Sequence, residues 1–166
     1  MRNNVHMALP IPPTKFHYVT GTWTQAAGQV AGTIAMHKAA AAETTVVTIP
    51  VEVPTNAIQL QGSKIASIEV DFEVLVADCT SLSVTVNKVT RGADTAVATV
   101  TALTQGTLSP ALTSAKTVEQ HKLIIPLATQ IFLLNTEILL VALTFVCPAT
   151  TTLDILGAVV NFAARD

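Results

Sequence analysis

Two runs of alternating residues organise this chain. From Ser67 to Val76, the residues Ile68, Val70, Phe72, Val74 and Val76 alternate with Ser67, Glu69, Asp71, Glu73 and Leu75. A period of two places the first set on one face of a β-strand and the second set on the other. After residues 77–81 a second run sets Leu82, Val84 and Val86 against Ser83, Thr85 and Asn87. The two runs are expected to form a long antiparallel pair with one apolar face, which another sheet must cover.

The same pattern, more interrupted, accounts for most of the remaining chain. Residues 16–24 read as a first strand with a glycine break, 33–38 as a second and 44–53 as a third. Pro50 lacks a ladder donor, so the third strand is expected at a sheet edge or around a bulge. The alanines 39–42 read as a loop because the Thr and Val that follow are strongly β-forming. Residues 58–61 lead into the long pair, 91–94 are a turn, and 96–103 and 117–126 are strands, the latter ending at Pro126. Residues 127–134 are ambiguous, with a turn of helix as one reading. Residues 137–147 are apolar at both parities, which predicts a strand covered on both sides. A turn at 148–152 and a strand at 153–163 close the fold. The reading is all-β: an antiparallel β-sandwich, jelly-roll-like, over residues 16–166, with an extended N-terminal arm over 1–15.

In that arm, Pro10, Pro12 and Pro13 fix φ and remove donors, so it is expected to stay out of the chain's own ladders. Val5, Met7, Leu9 and Ile11 alternate within it, which implies a groove, in its own subunit or in a neighbour. Residues 104–116, with Gly106 and Pro110, form a loop long enough to be a surface excursion or a subunit contact.

Composition sharpens the picture. Half of the 166 residues are hydrophobic and only 12% are charged, with a mean hydropathy of +0.53. A typical soluble domain has about 25% charge. The best candidate for a membrane span, 123–147, is broken by Pro126, Gln130, Asn135, Thr136 and Glu137, and one Trp and one Tyr cannot build the two aromatic belts of a porin. Residues 1–13, with Arg2, Asn3 and Asn4 followed by an apolar stretch cut by Pro10, Pro12 and Pro13, are not expected to act as a secretion signal. The charge-poor surface is therefore expected to be covered by other protein. A net charge of −2 without a basic stripe excludes strong non-specific nucleic-acid binding.

Candidate chemistry is sparse. His6, His17, His37 and His121 show no ligand spacing, no nucleophile elbow or phosphate loop is present, and neither a metal nor a cofactor is expected. Cys79 and Cys147 are too few and too isolated for a disulfide framework, and read as buried free thiols of a protein made in a reducing cytoplasm. Trp23 reads as a core plug rather than a ligand platform. Glu69, Asp71 and Glu73 share one strand face, about 7 Å apart by strand rise. That stripe suits a solvated face or a basic partner better than a catalytic carboxylate pair.

The Gly21-Thr22-Trp23-Thr24 opening, the SIEVDFEV and LSVTVNKVT runs, and the Asn135-Thr136-Glu137 lead into a last hairpin ending near GAVVNF resemble the β-sandwich structural proteins of tailed-phage virions, particularly head decoration (cement) proteins. The resemblance implies a non-enzymatic protein, a trimer, made in the host cytoplasm and seated on the capsid surface. There it would bridge copies of the major capsid protein or another virion protein. The contact elements expected are Pro10, Pro12 and Pro13 of the arm, Gly106 and Pro110 of the loop, and Glu69, Asp71 and Glu73. A tail-fibre, spike or carbohydrate-binding sandwich is the rival, which the 4% aromatic content disfavours.

Overall fold

The computed structural model describes residues 4–28, 33–53, 64–92, 97–134 and 136–165. The strands are β1 (Asn4–Ile11), β2 (His17–Tyr18), β3 (Trp23–Ala27), β4 (Ile34–Lys38), β5 (Glu43–Val51) and β6 (Lys64–Leu75), then β7 (Ser81–Thr90), β8 (Thr99–Leu103), β9 (Glu119–Phe132), β10 (Glu137–Cys147) and β11 (Thr152–Arg165). One 3-10 turn, Pro13–Lys15, follows β1. The first sheet runs β3-β4-β11-β6-β9, with β1 also on β11, and the second runs β2-β5-β10-β7-β8.

The pairing is nested. β7 pairs β8, β6 pairs β9, β5 pairs β10 and β4 pairs β11, all antiparallel. A single long hairpin has been rolled up so that successive pairs fall in opposite sheets, which is jelly-roll connectivity. Between the sheets the apolar parity of every strand meets: Ile68, Val70, Phe72 and Val74 of β6 are fully buried, as are Leu139, Val141, Leu143 and Phe145 of β10. The Phe72 and Phe145 rings touch edge-on across the core, 5.2 Å between centroids.

This arrangement corrects the expected long pair. β6 and β7 do not pair but belong to opposite sheets. Alternation specifies which face is buried, not which strand lies alongside, and the residues between them carry the chain across the core instead of back along the sheet. Val76, expected on the apolar face, ends outside the strand, 74% exposed at a φ of +70°. Ala77 N–H bonds Leu75 C=O there (2.9 Å), closing a γ-turn. β10 and β11 likewise lie in opposite sheets and form no last hairpin.

The arm is corrected too. β1 pairs β11 in eight registers, from Asn4↔Arg165 to Ile11↔Ala158. Its prolines do not prevent this because β1 has a strand on only one side, and edge strands tolerate a missing donor. The close approach needs Gly157, at φ +147°, where a Cβ would lie 3.2 Å from Ile11 O. Pro50 lies past the end of β2, which reaches only Thr48, so β5 is open at that point as expected.

Residues 127–132 continue β9 and are not helical. Between Ser67↔Pro126 and Ile65↔Ile131, β6 advances two residues while β9 advances five, so a bulge absorbs Pro126 within the strand. The 104–110 segment runs along the free edge of β9: Gly106 N–H bonds Pro126 O (2.8 Å), and Ser109 and Ile124 exchange bonds of 3.2 and 2.7 Å. Residues 58–61, 93–96 and 135, which carried parts of the strand and turn assignment, lie outside the described residues. No helix of the described residues is long and apolar enough to cross a membrane.

Candidate functional site

The two outer sheet faces differ in chemistry. On the first sheet, cross-strand register assembles rows from distant parts of the chain. One row reads Pro10, Val159, Glu69, Ile124 and Ser109. The next holds Gly157, Asp71 and Lys122, and a third holds Thr24, His37, Asp154, Glu73 and Gln120. The arm, the acidic stripe and the 104–116 loop, separated in sequence, therefore meet on one face, with Pro110 following Ser109 at its margin.

The carboxylates of this face are held by neighbours. Asn161 Nδ2 donates to Glu69 Oε1 (2.8 Å), and Lys122 Nζ lies 3.6 Å from Glu69 Oε2. His37 Nδ1 and Asp154 Oδ1 are 2.6 Å apart. Asp71, Glu73, Gln120 and Lys122 line a groove of about 350 Å³ with Thr33, Ile34 and Leu156. Partial burial holds the Asp71 carboxyl above its ordinary value; Lys122 opposes that shift and Glu69 adds to it. The stripe is not uniformly wet, since Glu73 is only 7% exposed.

The remaining expected contacts separate. Pro10 is exposed and borders a cleft of about 510 Å³ with Lys15, Pro50 and Glu52. Pro12 is exposed, whereas Pro13 is buried and its carbonyl accepts the Tyr18 hydroxyl (2.8 Å). Gly106 is tied to β9. Trp23 is half-buried, packs against the Tyr18 ring with centroids 4.5 Å apart and planes tilted by 41°, and donates its indole N–H to Thr20 O (2.8 Å), a packing role. Among the described residues no group of three His, Cys, Asp or Glu is placed to hold a metal.

The outer face of the second sheet is the surface that sequence reasoning did not assemble. Its positions are Thr44, Val46, Thr48 and Pro50 of β5; Ile138, Leu140, Ala142, Thr144 and Val146 of β10; and Ser81, Ser83, Thr85, Asn87 and Val89 of β7. His17 on β2 and Val100 and Ala102 on β8 extend the same rows. Among the described residues these strands place no Lys, Arg, Asp or Glu on that face. The ionised residues of the sheet point inward at its ends instead, as in the Lys88–Glu137 pair at 2.7 Å. The signal was present in residues 137–147, apolar at both parities. Within the chain, however, only one of those faces is covered, and the other is half-exposed from Ile138 to Val146.

No family model matches the chain, and no curated protein matches it. Among solved structures, an arabinose-bound α-L-arabinofuranosidase is similar at 9% identity, over 92% of this chain and 24% of that one, with a TM-score of 0.42. A likeness at that level carries no argument about function.

Proposed function

We propose that this chain is a non-enzymatic structural subunit whose uncharged sheet face is covered by protein. In the role its resemblance implies, it is a decoration (cement) protein that binds the outside of a phage head and bridges capsid subunits. The observation that carries the reading is the second sheet's outer face, which among the described residues spans β2, β5, β10, β7 and β8 without a Lys, Arg, Asp or Glu side chain. By strand spacing and rise it offers roughly 600 Å² per partner, approaching the ~800 Å² a standard interface buries on each side. Its Val, Ile, Leu and Ala side chains gain by leaving water, its Thr and Ser hydroxyls need hydrogen-bond partners across the contact, and covering it leaves no unpaired charge behind. The jelly-roll fold, which capsid and lectin domains share, is compatible with this role without assigning it.

Size-exclusion chromatography with light scattering tests the reading. The wild-type chain should be a trimer or other homo-oligomer at micromolar concentration. Ala142→Lys, at the centre of the face, should convert it to monomer while leaving the far-ultraviolet spectrum unchanged. A wild-type monomer that also fails to attach to phage heads would overturn it. The rival, a glycan-binding module of a tail fibre or spike, draws on the polar groove between Asp71 and Gln120. It predicts specific spots on a glycan array, lost with Gln120→Ala.

A further inference from the structure

The fold brings together the two cysteines that the sequence holds 68 positions apart. In the β7–β10 ladder Ser81 lies opposite Val146. One residue earlier, Thr80 N–H also bonds Val146 O (2.8 Å), so two residues of one strand oppose a single residue of the other. This bulge shifts the register by one. The next step outward then brings Cys79 beside Cys147, and the two thiols hydrogen-bond to each other. The Cys79 N–H is engaged elsewhere, by Lys116 O at 2.9 Å. Residues facing each other across an antiparallel pair have Cα atoms about 4.5–5.5 Å apart, inside the roughly 4.4–6.8 Å that a disulfide spans. Both side chains point into the core, 1% and 3% exposed.

The surroundings hold this pair in place. Lys116 Nζ donates to Thr80 O (2.9 Å), and Thr151 Oγ1 donates to Ala77 O (3.0 Å). Cys147 lies opposite Glu43, whose carboxylate is 3.1 Å from the ammonium of the fully buried Lys38. A buried cation beside two thiols is an environment that favours thiolate. We propose that Cys79 and Cys147 are an intramolecular dithiol that closes to a disulfide, stapling the β6–β7 crossover to the end of β10. This inference does not rest on the assembly reading.

In the folded chain a hydrogen bond between the two thiols holds Cys147 below its ordinary value, against the effect of burial, and the Lys38 charge acts in the same direction. With glutathione disulfide as oxidant, the thiolate of one cysteine forms a mixed disulfide and releases one glutathione thiolate. The sulfur of the other, giving up its proton, then attacks the first and releases the second glutathione. Two protein thiols become one disulfide, and one glutathione disulfide becomes two glutathiones, which carry away the protons. Because both sulfurs are sealed from solvent, the exchange belongs to folding or to opening of this end of the sandwich.

The test is to refold the denatured full chain in a glutathione redox buffer, then count thiols in denaturant and measure the intact mass. The expected result is loss of both thiols, a mass lower by two hydrogens, one cross-linked peptide carrying Cys79 and Cys147, and no covalent dimer. The denaturation midpoint should rise relative to the reduced chain, with no such rise in Cys79→Ser. A second arm exposes the folded protein to diamide just below its melting temperature, so poor refolding leaves the question answerable. Two titratable thiols after both treatments, or cross-links only between chains, would overturn the proposal.

Discussion

Glu137 shows how this fold tolerates a carboxylate at the rim of its core. It is the first residue of β10 and is 8% exposed. It accepts from Lys88 Nζ at 2.7 Å, Leu134 N–H at 3.0 Å and Thr90 Oγ1 at 3.3 Å. Burial alone would raise its pKa; the three donors outweigh burial and hold it below the ordinary 4.5. A depressed carboxylate contributes stability above its unfolded value and loses that contribution as pH falls through the lower native value. Glu137→Gln should therefore cost about 2 kcal/mol at neutral pH, the scale of a charge-assisted bond in a mostly buried site. The gap to wild type should close as pH falls below the ordinary carboxylate range and through the lowered native value, as urea unfolding at neutral and acid pH would show. Asp71 has the opposite sign, since its raised value makes its charged form a small liability above that value, partly relieved by Lys122.

The N-terminal strand changes what a truncation means. β1 covers the edge of β11 from Ala158 to Arg165, and Leu9 and Ile11 pack against the core. Removing residues 1–11 should lower stability by about 3 kcal/mol, from the apolar side chains lost and the cavity left. It should also expose a strand edge that templates aggregation. A lower urea midpoint with rising light scattering is the expected outcome. Truncation is consequently a poor probe of assembly, and a charge placed on the uncharged face is the cleaner one. A proline counts against a strand only as a missing donor, and an edge strand has a side on which no donor is used. Pro126 is tolerated similarly, since the β9 bulge and the 104–110 segment absorb it within a strand of 14 residues.

At the scale of the whole molecule, charge is segregated among the described residues: the first sheet's outer face carries Glu69, Asp71, Glu73 and Asp154 with Lys122 and His37, and the second sheet's outer face carries no Lys, Arg, Asp or Glu. The two faces make different salt predictions. Association through the uncharged face should survive molar salt, because it gains little from Coulomb attraction, whereas contact of the acidic face with a basic surface should weaken as screening shortens. Light scattering of the free protein in low and molar salt separates them, and dispersal of the oligomer by salt would move self-association to the acidic face. The amino-acid sequence by itself determined that the chain is all-β, and which parity of β6 and β7 is buried; for β10, apolar at both parities, it did not. It could do so for the first two because side chains alternate along a strand wherever that strand is placed. Only the tertiary structure decided that β6 pairs β9 and β11 instead of β7, that Pro10, Glu69 and Ser109 share a row, and that a single extra residue sets Cys79 against Cys147. Ladder hydrogen bonds are made by the same main-chain groups in every strand, so partners and register are chosen by how the long hairpin rolls to close one core.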